Sequence, residues 1–416
     1  MTAEPHRELV DHLFRQEQGK MVAVLTRIFG FDQLELVEDV VQDAFLSALR
    51  AWRTRLPDNP GGWLMQAAKH RAVDLLRRGQ LQIRHAATQD PAAVAVGVNE
   101  LFHASEISDS QLRLMFACCH PVLEERDQLA FTLQLASGFG VREIAAALLT
   151  RQETIKKRLQ RARSRIKEAG VRLAIPAGPE LKARLDAVLK VLYLTFNEGY
   201  QSSTAEEVIR RDLCAEAMRL TKLVCEHPVT DTTDANALLA LMCYHAARFD
   251  SRLGPDNETV LLADQDRSKW DRELIGVAHF YLSRSRPDEA PSVYVLEAAI
   301  AAQHVVAPAY ADTSWATLLT LYDLLLRIKP THTVRMNRAV VLGEMGDGPA
   351  ALVALRALDP KELAGHEHLY HCVVARVYER MGDEPSRREH LALALAAAVH
   401  ERDRALIRSR LASSIP

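Results

Sequence analysis

The sequence predicts an all-α chain. Glycine (18) and proline (17) are sparse for 416 residues, and aromatics make up only 6 %. A β-sandwich or barrel needs many turns and many strand-forming residues, so this composition disfavours both. In the long segments the apolar residues recur every three or four positions, the helical period. With 48 % apolar and 25 % charged residues the chain can fold, and global disorder is excluded. At about 150 residues per domain, the length predicts two or three domains.

The longest apolar run, Leu391 to Val399 (LALALAAAV), is about half of the ~18 residues a membrane span requires. The N-terminal MTAEPHRELVDHL is acidic and lacks the apolar core of a signal peptide. A cytoplasmic protein is expected. Six scattered cysteines (Cys118, Cys119, Cys214, Cys225, Cys243, Cys372) then read as small buried apolar residues.

The net charge of −2 hides a segregated distribution. Residues 1–49 carry 4 basic and 9 acidic side chains, a net of −5. Residues 50–79 carry 7 and 2, a net of +5, and residues 140–170 carry 9 and 3, a net of +6. Basic segments can meet phosphate; an acidic one suits a basic protein surface. Charge by itself favours ordinary solvated helix faces.

The first clear helix covers residues 36–50. Val37, Val40, Val41, Ala44, Phe45 and Ala48 form one apolar stripe, and Asp32, Glu35, Glu38, Asp39 and Asp43 lie off it. PDNPGG at 57–62 breaks the chain. A second helix runs from Trp63 to Arg78, with Leu64, Ala68, Ala72 and Leu75 inward. Trp63, Gln66, His70, Asp74 and Arg77 share another face, flanked by Lys69, Arg71 and Arg78. An aromatic at the start of a basic helix can stack on exposed bases while arginine and lysine hold the backbone. A core tryptophan with solvated arginines is the plain alternative. The next thirty residues lose periodicity and read as a linker.

From Glu125 the period returns. Leu129, Phe131, Leu133 and Leu135 mark a helix stopped at Ser137-Gly138. Val141, Ile144, Ala145 and Leu148 mark a short helix, and a turn at Thr150-Arg151 follows. Ile155, Leu159, Ala162 and Ile166 then form the stripe of a third helix. This order is the helix-turn-helix, whose last helix enters a major groove. Lys156, Lys157, Gln160 and Arg161 carry donors that read base edges. The C-terminal arginines, Arg165 among them, would grip phosphate, and Arg158 belongs to the same DNA-binding set.

These blocks resemble the extracytoplasmic-function (ECF) sigma factors of bacterial RNA polymerase. VEDVVQDAFLSALRAW (37–52) is similar to region 2.2, which docks on the large polymerase subunit. NPGGWLMQAAKHRAVDLLRR (59–78) is similar to regions 2.3 and 2.4, which melt and read the −10 element. REIAAALLTRQETIKKRLQRARSRI (142–166) is similar to region 4.2, which reads the −35 element, though Thr150-Arg151 stands where an apolar residue and a proline are common. QLRLMFACCHPVL, VLYLTFNEGY, RDLCAEAMRL, DQDRSKWDRELI and LYDLLLRIKP resemble the ECF subgroup with a fused C-terminal helical extension.

The resemblance implies sigma region 2 over 1–79, a linker over 80–110, sigma region 4 over 111–172 and the extension over 180–416. It implies core RNA polymerase and promoter DNA as partners, no cofactor and no membrane. The extension would regulate, dock on polymerase or a regulatory protein, or contact the sigma core itself. Polymerase would be met by Glu35, Glu38, Asp39, Gln42 and Asp43. The −10 element would be met by Asn59, Trp63, Lys69, His70, Arg71, Arg77 and Arg78, with Trp63 and the 59–62 loop near a flipped base.

In the C-terminal part, Ala339–Pro349 (AVVLGEMGDGP) and Ala375–Pro385 (ARVYERMGDEP) match at an offset of 36, with six of eleven residues identical. A helix, a Gly-Asp turn and a helix at this period predict stacked hairpins like the 34-residue tetratricopeptide (TPR) unit. Asp264, Asp266 and Asp323, or Cys118-Cys119-His120, hint at a metal but lack ligand spacing. Tyr193, Phe196, Asn197 and Tyr200 read as packing residues. Two other readings stand beside the sigma factor: a conventional DNA-binding regulator with a sensor array, and an enzyme within 181–416. The 32–78 block argues against the former, the missing catalytic constellation against the latter.

Overall fold

The computed structural model describes the backbone of residues 4–52, 56–77, 97–148, 150–200, 209–254, 258–285, 291–363 and 367–413. These residues form α-helices and short 3-10 turns; the β structure among them is one isolated bridge, Leu253 to Thr259. Contacts divide the chain into two compact units, Met1–Asp231 and Thr232–Pro416.

The first unit is organised around α1 (Glu4–Phe29), which packs against α2 (Leu34–Ala51), α3 (Pro60–Arg77), α5 (Ala104–Cys118) and α6 (Glu125–Leu135). Sequence periodicity missed α1 for a physical reason. Met21, Val22, Ala23, Val24 and Leu25 are all at most 1 % exposed, and a helix buried on every side shows no stripe. Gly30, at φ 91°, ends it where a Cβ would be strained. α2 buries the predicted stripe of Val37, Val40, Val41, Ala44 and Ala48.

The expected linker over 80–110 is shorter than the composition suggested. A short helix α4 covers 97–101, and α5 begins at Ala104. The polar run ASEISDS is helical because α1 gives its side chains partners. Arg27 of α1 bonds Glu106 at 2.9 Å and Asp109 at 3.0 Å.

After α6 come α7 (Val141–Ala147) and α8 (Gln152–Glu168), as the helix-turn-helix reading predicts. Ile155, Leu159, Ala162 and Ile166 of α8 are buried against α6 and α7. Such burial contributes roughly 1.5–3 kcal/mol for each large apolar side chain.

The extension was expected to begin at 180, yet the first unit continues to Asp231. Its last helices, α9 (Pro179–Tyr200) and α10 (Arg211–Glu226), pack on α5, and α9 also packs on α6. Arg184 donates to the Phe116 carbonyl at 2.6 Å, capping the C-terminal turn of α5. Lys190 pairs with Glu125, and Arg219 donates to the Gln111 amide oxygen at 3.3 Å.

The second unit runs through α11 (Thr233–Ala246), α12 (Arg272–Arg284), α13 (Val293–Val306), α14 (Trp315–Ile328), α15 (His332–Glu344), α16 (Gly348–Arg356), α17 (Glu367–Met381), α18 (Glu384–Ala397) and α19 (Glu401–Ala412). Sequence neighbours pack as hairpins, each burying its face on the next. The repeat is seen directly in α15–α16 and α17–α18. Gly346 and Gly382 adopt φ 90° and 73°, Asp347 and Asp383 cap the next helix at 3.1 Å, and a proline opens that helix.

Five cysteines are buried and Cys372 is half-buried. No helix among the described residues is long and apolar enough to cross a membrane.

Candidate nucleic-acid interface

α2 turns its stripe inward and leaves Glu35, Asp39, Gln42 and Asp43 exposed on its other side. The same surface continues into Leu46, 50 % exposed, and Leu49, 57 % exposed, which the charge-based reading overlooked. Glu38 is half-buried because it accepts a hydrogen bond from Arg163 of α8. Asp43 pairs with Arg71 of α3 at 3.2 Å.

The PDNPGG turn has a structural purpose. Asn59 accepts from the Gly62 N–H at 2.9 Å and so caps α3, with Pro60 as the first helical residue. A Cβ at Gly61 would lie 2.9 Å from the Glu17 carboxyl of α1. Trp63 is half-buried and meets Trp52 edge-on, with ring centroids 5.5 Å apart. His70 and Arg77 are exposed, and Lys69 and Arg71 are half-buried. Arg78 lies outside the described residues.

α8 presents Gln152, Glu153, Lys156, Lys157, Gln160, Arg161, Ser164 and Lys167 to solvent. The sequence grouped its cations by order along the helix; the structure sorts them by partner. Lys156 bonds Glu153 at 2.7 Å, and that bond, with the charges of Lys156 and Lys157, holds the Glu153 carboxyl below its usual range. Arg161 makes a bidentate pair with Asp127 of α6, Nε to Oδ2 at 2.8 Å and Nη2 to Oδ1 at 2.6 Å. Asp127 is 0 % exposed. Arg161 therefore anchors α8 to α6 in this structure rather than standing free for a base edge, as its sequence position suggested. Arg165 reaches Glu124 at 3.4 Å, and Arg158 is half-buried. Lys157 and Gln160 remain on the outward face. Arg163, expected on the exposed basic side of the helix, is half-buried and donates to Glu38, and Asp127 was not singled out; these pairs span 125 and 34 residues.

Glu124, Glu125 and Asp127 give the first turn of α6 its acid, which suits a helix N-terminus. Two of the carboxylates that hinted at a metal have other partners. Asp266 accepts from the Ser268 N–H at 3.0 Å, and Asp323 pairs with Arg338. Cys118 and Cys119 are buried, which pushes their thiols up, Cys119 to about 12. Among the described residues no group of three or more His, Cys, Asp or Glu side chains could hold a metal. Phe196 is buried and stacks on Tyr200 at 5.8 Å, as packing residues do.

Residues 13–82 match sigma-70 region 2, and residues 113–166 match sigma-70 region 4. Residues 184–286 match a family of unknown function (DUF6596). An uncharacterized protein of Rhizobium meliloti (strain 1021) is 31 % identical over 385 residues, covering 92 % of this chain and 90 % of that protein. No solved structure matches. The acidic and basic helices thus fall within the stretch that matches sigma-70 region 2, and the helix-turn-helix within the stretch that matches region 4. The chain belongs to the sigma-70 family, as an ECF-like sigma factor with an added C-terminal domain. Its role is in promoter recognition, and families of this kind are non-enzymatic transcription regulators.

Proposed function

We propose that this chain binds core RNA polymerase through α2, melts and reads the −10 element through α3, and reads the −35 element through α8. The observation that carries this reading is the coexistence of two oppositely charged exposed faces on separate helices. Glu35, Asp39 and Asp43 would meet a basic polymerase surface, with Leu46 and Leu49 supplying an apolar contact beside them. A conventional regulator has no use for such a face beside a basic helix.

At the −35 element Lys157 and Gln160 reach base edges, and Lys156 joins them by exchanging Glu153 for DNA. Arg158 and Arg165 approach phosphate, and Arg161 keeps α8 seated on α6. At the −10 element the half-buried Trp63 meets an unstacked base, while His70 and Arg77, with the half-buried Lys69, line the strand's path. Arg71 completes that surface once Asp43 turns to polymerase. Asn59 serves by capping α3 and thereby fixing Trp63. The helical hairpins of residues 232–416 would bind a regulatory protein or polymerase itself. The protein would act in the cytoplasm.

Sequence selection from randomised duplexes tests the assignment. The polymerase-bound chain should enrich two separated elements. Lys157→Ala and Gln160→Ala should relax preference in the upstream one, each by about 1–3 kcal/mol at one base pair. Unchanged enrichment in both variants would refute the assignment of α8.

A further inference from the structure

The second compact unit gathers positive charge around the ends of α11 and α13. Arg267 lies in the 3-10 turn Arg267–Lys269, Arg248 just beyond the end of α11, and His304 in the last turn of α13. Trp315 opens α14 and stands edge-on to the His304 ring, with centroids 6.1 Å apart. Arg267 Nη1 donates to the carbonyls of His304 at 2.5 Å and Ala307 at 2.7 Å. Arg248 Nη2 lies 3.1 Å from His245 Nδ1. The acids that flank Arg267 in the sequence are used as caps. Asp266 accepts from the Ser268 N–H at 3.0 Å, and Asp271 accepts from the Leu274 N–H of α12 at 2.9 Å.

Two polar atoms of this cluster are enclosed without a hydrogen-bond partner, Arg267 Nη2 and His304 Nδ1. A buried donor without an acceptor is costly, most of all on a charged group, and calls for a water or an ion. Arg267 is held so that this edge stays in place. Its guanidinium lies over the Trp270 ring, 4.5 Å from the centroid, and Trp270 is itself fixed by donating to Ser251 Oγ at 2.8 Å. A rigid guanidinium edge is the group that recognises oxyanions. The electrostatics agree. Burial, then the charges of Arg248 and Arg272, press the Arg267 guanidinium below its usual range, and Asp312 and Tyr310 offset them only in part. Burial, then Arg248 and Arg267, lower the His304 pKa to about 4. Burial, then Arg248, Arg252 and His304, hold His245 well below its ordinary value. Three neighbouring groups thus each resist their own positive charge, and one anion among them relieves all three.

We propose that Arg267 and His304, with Arg248 beside them, form a binding site for a phosphate group, either free or carried by a small phosphorylated molecule. Arg267 Nη2 and the Nδ1 of a protonated His304 each donate to one oxygen. Three cationic groups on three segments suit the several oxygens and double charge of a phosphate better than a carboxylate or chloride. Binding takes up a proton at His304, because the anion reverses the charge balance that keeps the free imidazole neutral. The site uses no residue of α2, α3 or α8, so it stands or falls apart from the promoter reading. It makes the hairpin unit a receptor for a small anionic effector.

The test titrates the full chain with sodium phosphate at fixed ionic strength, with sodium chloride as the reference salt. The readout is the His304 imidazole, followed by NMR in histidine-labelled protein and assigned by its loss in His304→Gln. The exposed cations of α8 also attract phosphate, so binding is read at His304 rather than in total. Phosphate should shift the His304 signal saturably and raise its pKa from about 4 toward the ordinary value of about 6.5. Arg267→Lys keeps the charge but loses the second nitrogen, and should weaken this binding about tenfold, with circular dichroism showing that the variant is folded. Glycerol phosphate separates the two sources: tighter binding than inorganic phosphate assigns the site to a carried phosphate, and exclusion assigns it to the free ion. No saturable change at His304, or the same change in chloride, overturns the proposal. So does undiminished affinity in folded Arg267→Lys. If that variant fails to fold, the wild-type titration decides alone.

Discussion

The helix-turn-helix α6–α8 and the repeated hairpins α15–α18 are built alike, from helices joined by short turns, yet their polar residues serve opposite ends. In the hairpins Asp347 and Asp383 each cap a backbone N–H three residues ahead, and Gly346 and Gly382 supply the left-handed turn. In α8 the guanidiniums of Arg161 and Arg163 reach residues 34 and 125 positions away. Local chemistry specifies a turn; distant chemistry specifies how separate parts sit together. The first kind can be shared by every repeat, while the second is particular to one surface.

The largest effect expected from breaking this difference is at Asp127. Asp127→Ala removes both acceptors from Arg161 and loosens α8 from α6. Because Arg161 is 45 % exposed, water recovers part of the loss, and about 2 kcal/mol of stability should disappear in urea unfolding. Asp127→Asn should cost less, since one acceptor survives.

The stability of the second unit is expected to depend on pH in part through the half-buried His304. Burial, then the charges of Arg248 and Arg267, lower the His304 pKa to about 4. The folded chain keeps His304 neutral where the unfolded chain, titrating near pH 6.5, takes up a proton. Its contribution is complete above about pH 7 and is lost progressively as pH falls toward 4. Between pH 7 and 5 this amounts to on the order of 2 kcal/mol. His304→Gln should flatten that part of the pH dependence, and an equally steep curve in the variant would refute the attribution.

Gly382→Ala tests the local side of the comparison. At φ 73° an alanine costs about 1 kcal/mol, and nothing within 4 Å opposes its Cβ sterically. The loss should appear in unfolding of the hairpin array, with DNA binding unchanged. The smallest effect is at Lys167. Removing this exposed cation should lower the salt dependence of DNA binding by about one counterion, without changing sequence preference.

The same contrast explains how much was legible in the sequence. The stripes of α2, α3 and α8, the helix-turn-helix and the 36-residue repeat were readable because each obeys a local period. α1 was not, because burial on all sides erases its period. The start of α5 looked like linker because the charges that make it helical are matched by Arg27, far away in sequence. Arg161 looked like a base reader for the same reason: nothing near it announces Asp127. The extension looked like one array from 180 onward, whereas α9 and α10 are bound to α5 and α6 by Arg184, Lys190 and Arg219.

Co-purification of the full chain with core RNA polymerase tests the account most directly, compared with a Glu35→Lys, Asp39→Lys double variant. Both residues are exposed and have no role in packing α2, so the variant should fold. The account predicts that the native chain is retained by polymerase and the variant is lost, while both bind duplex DNA equally. Retention of both, or of neither, would contradict it.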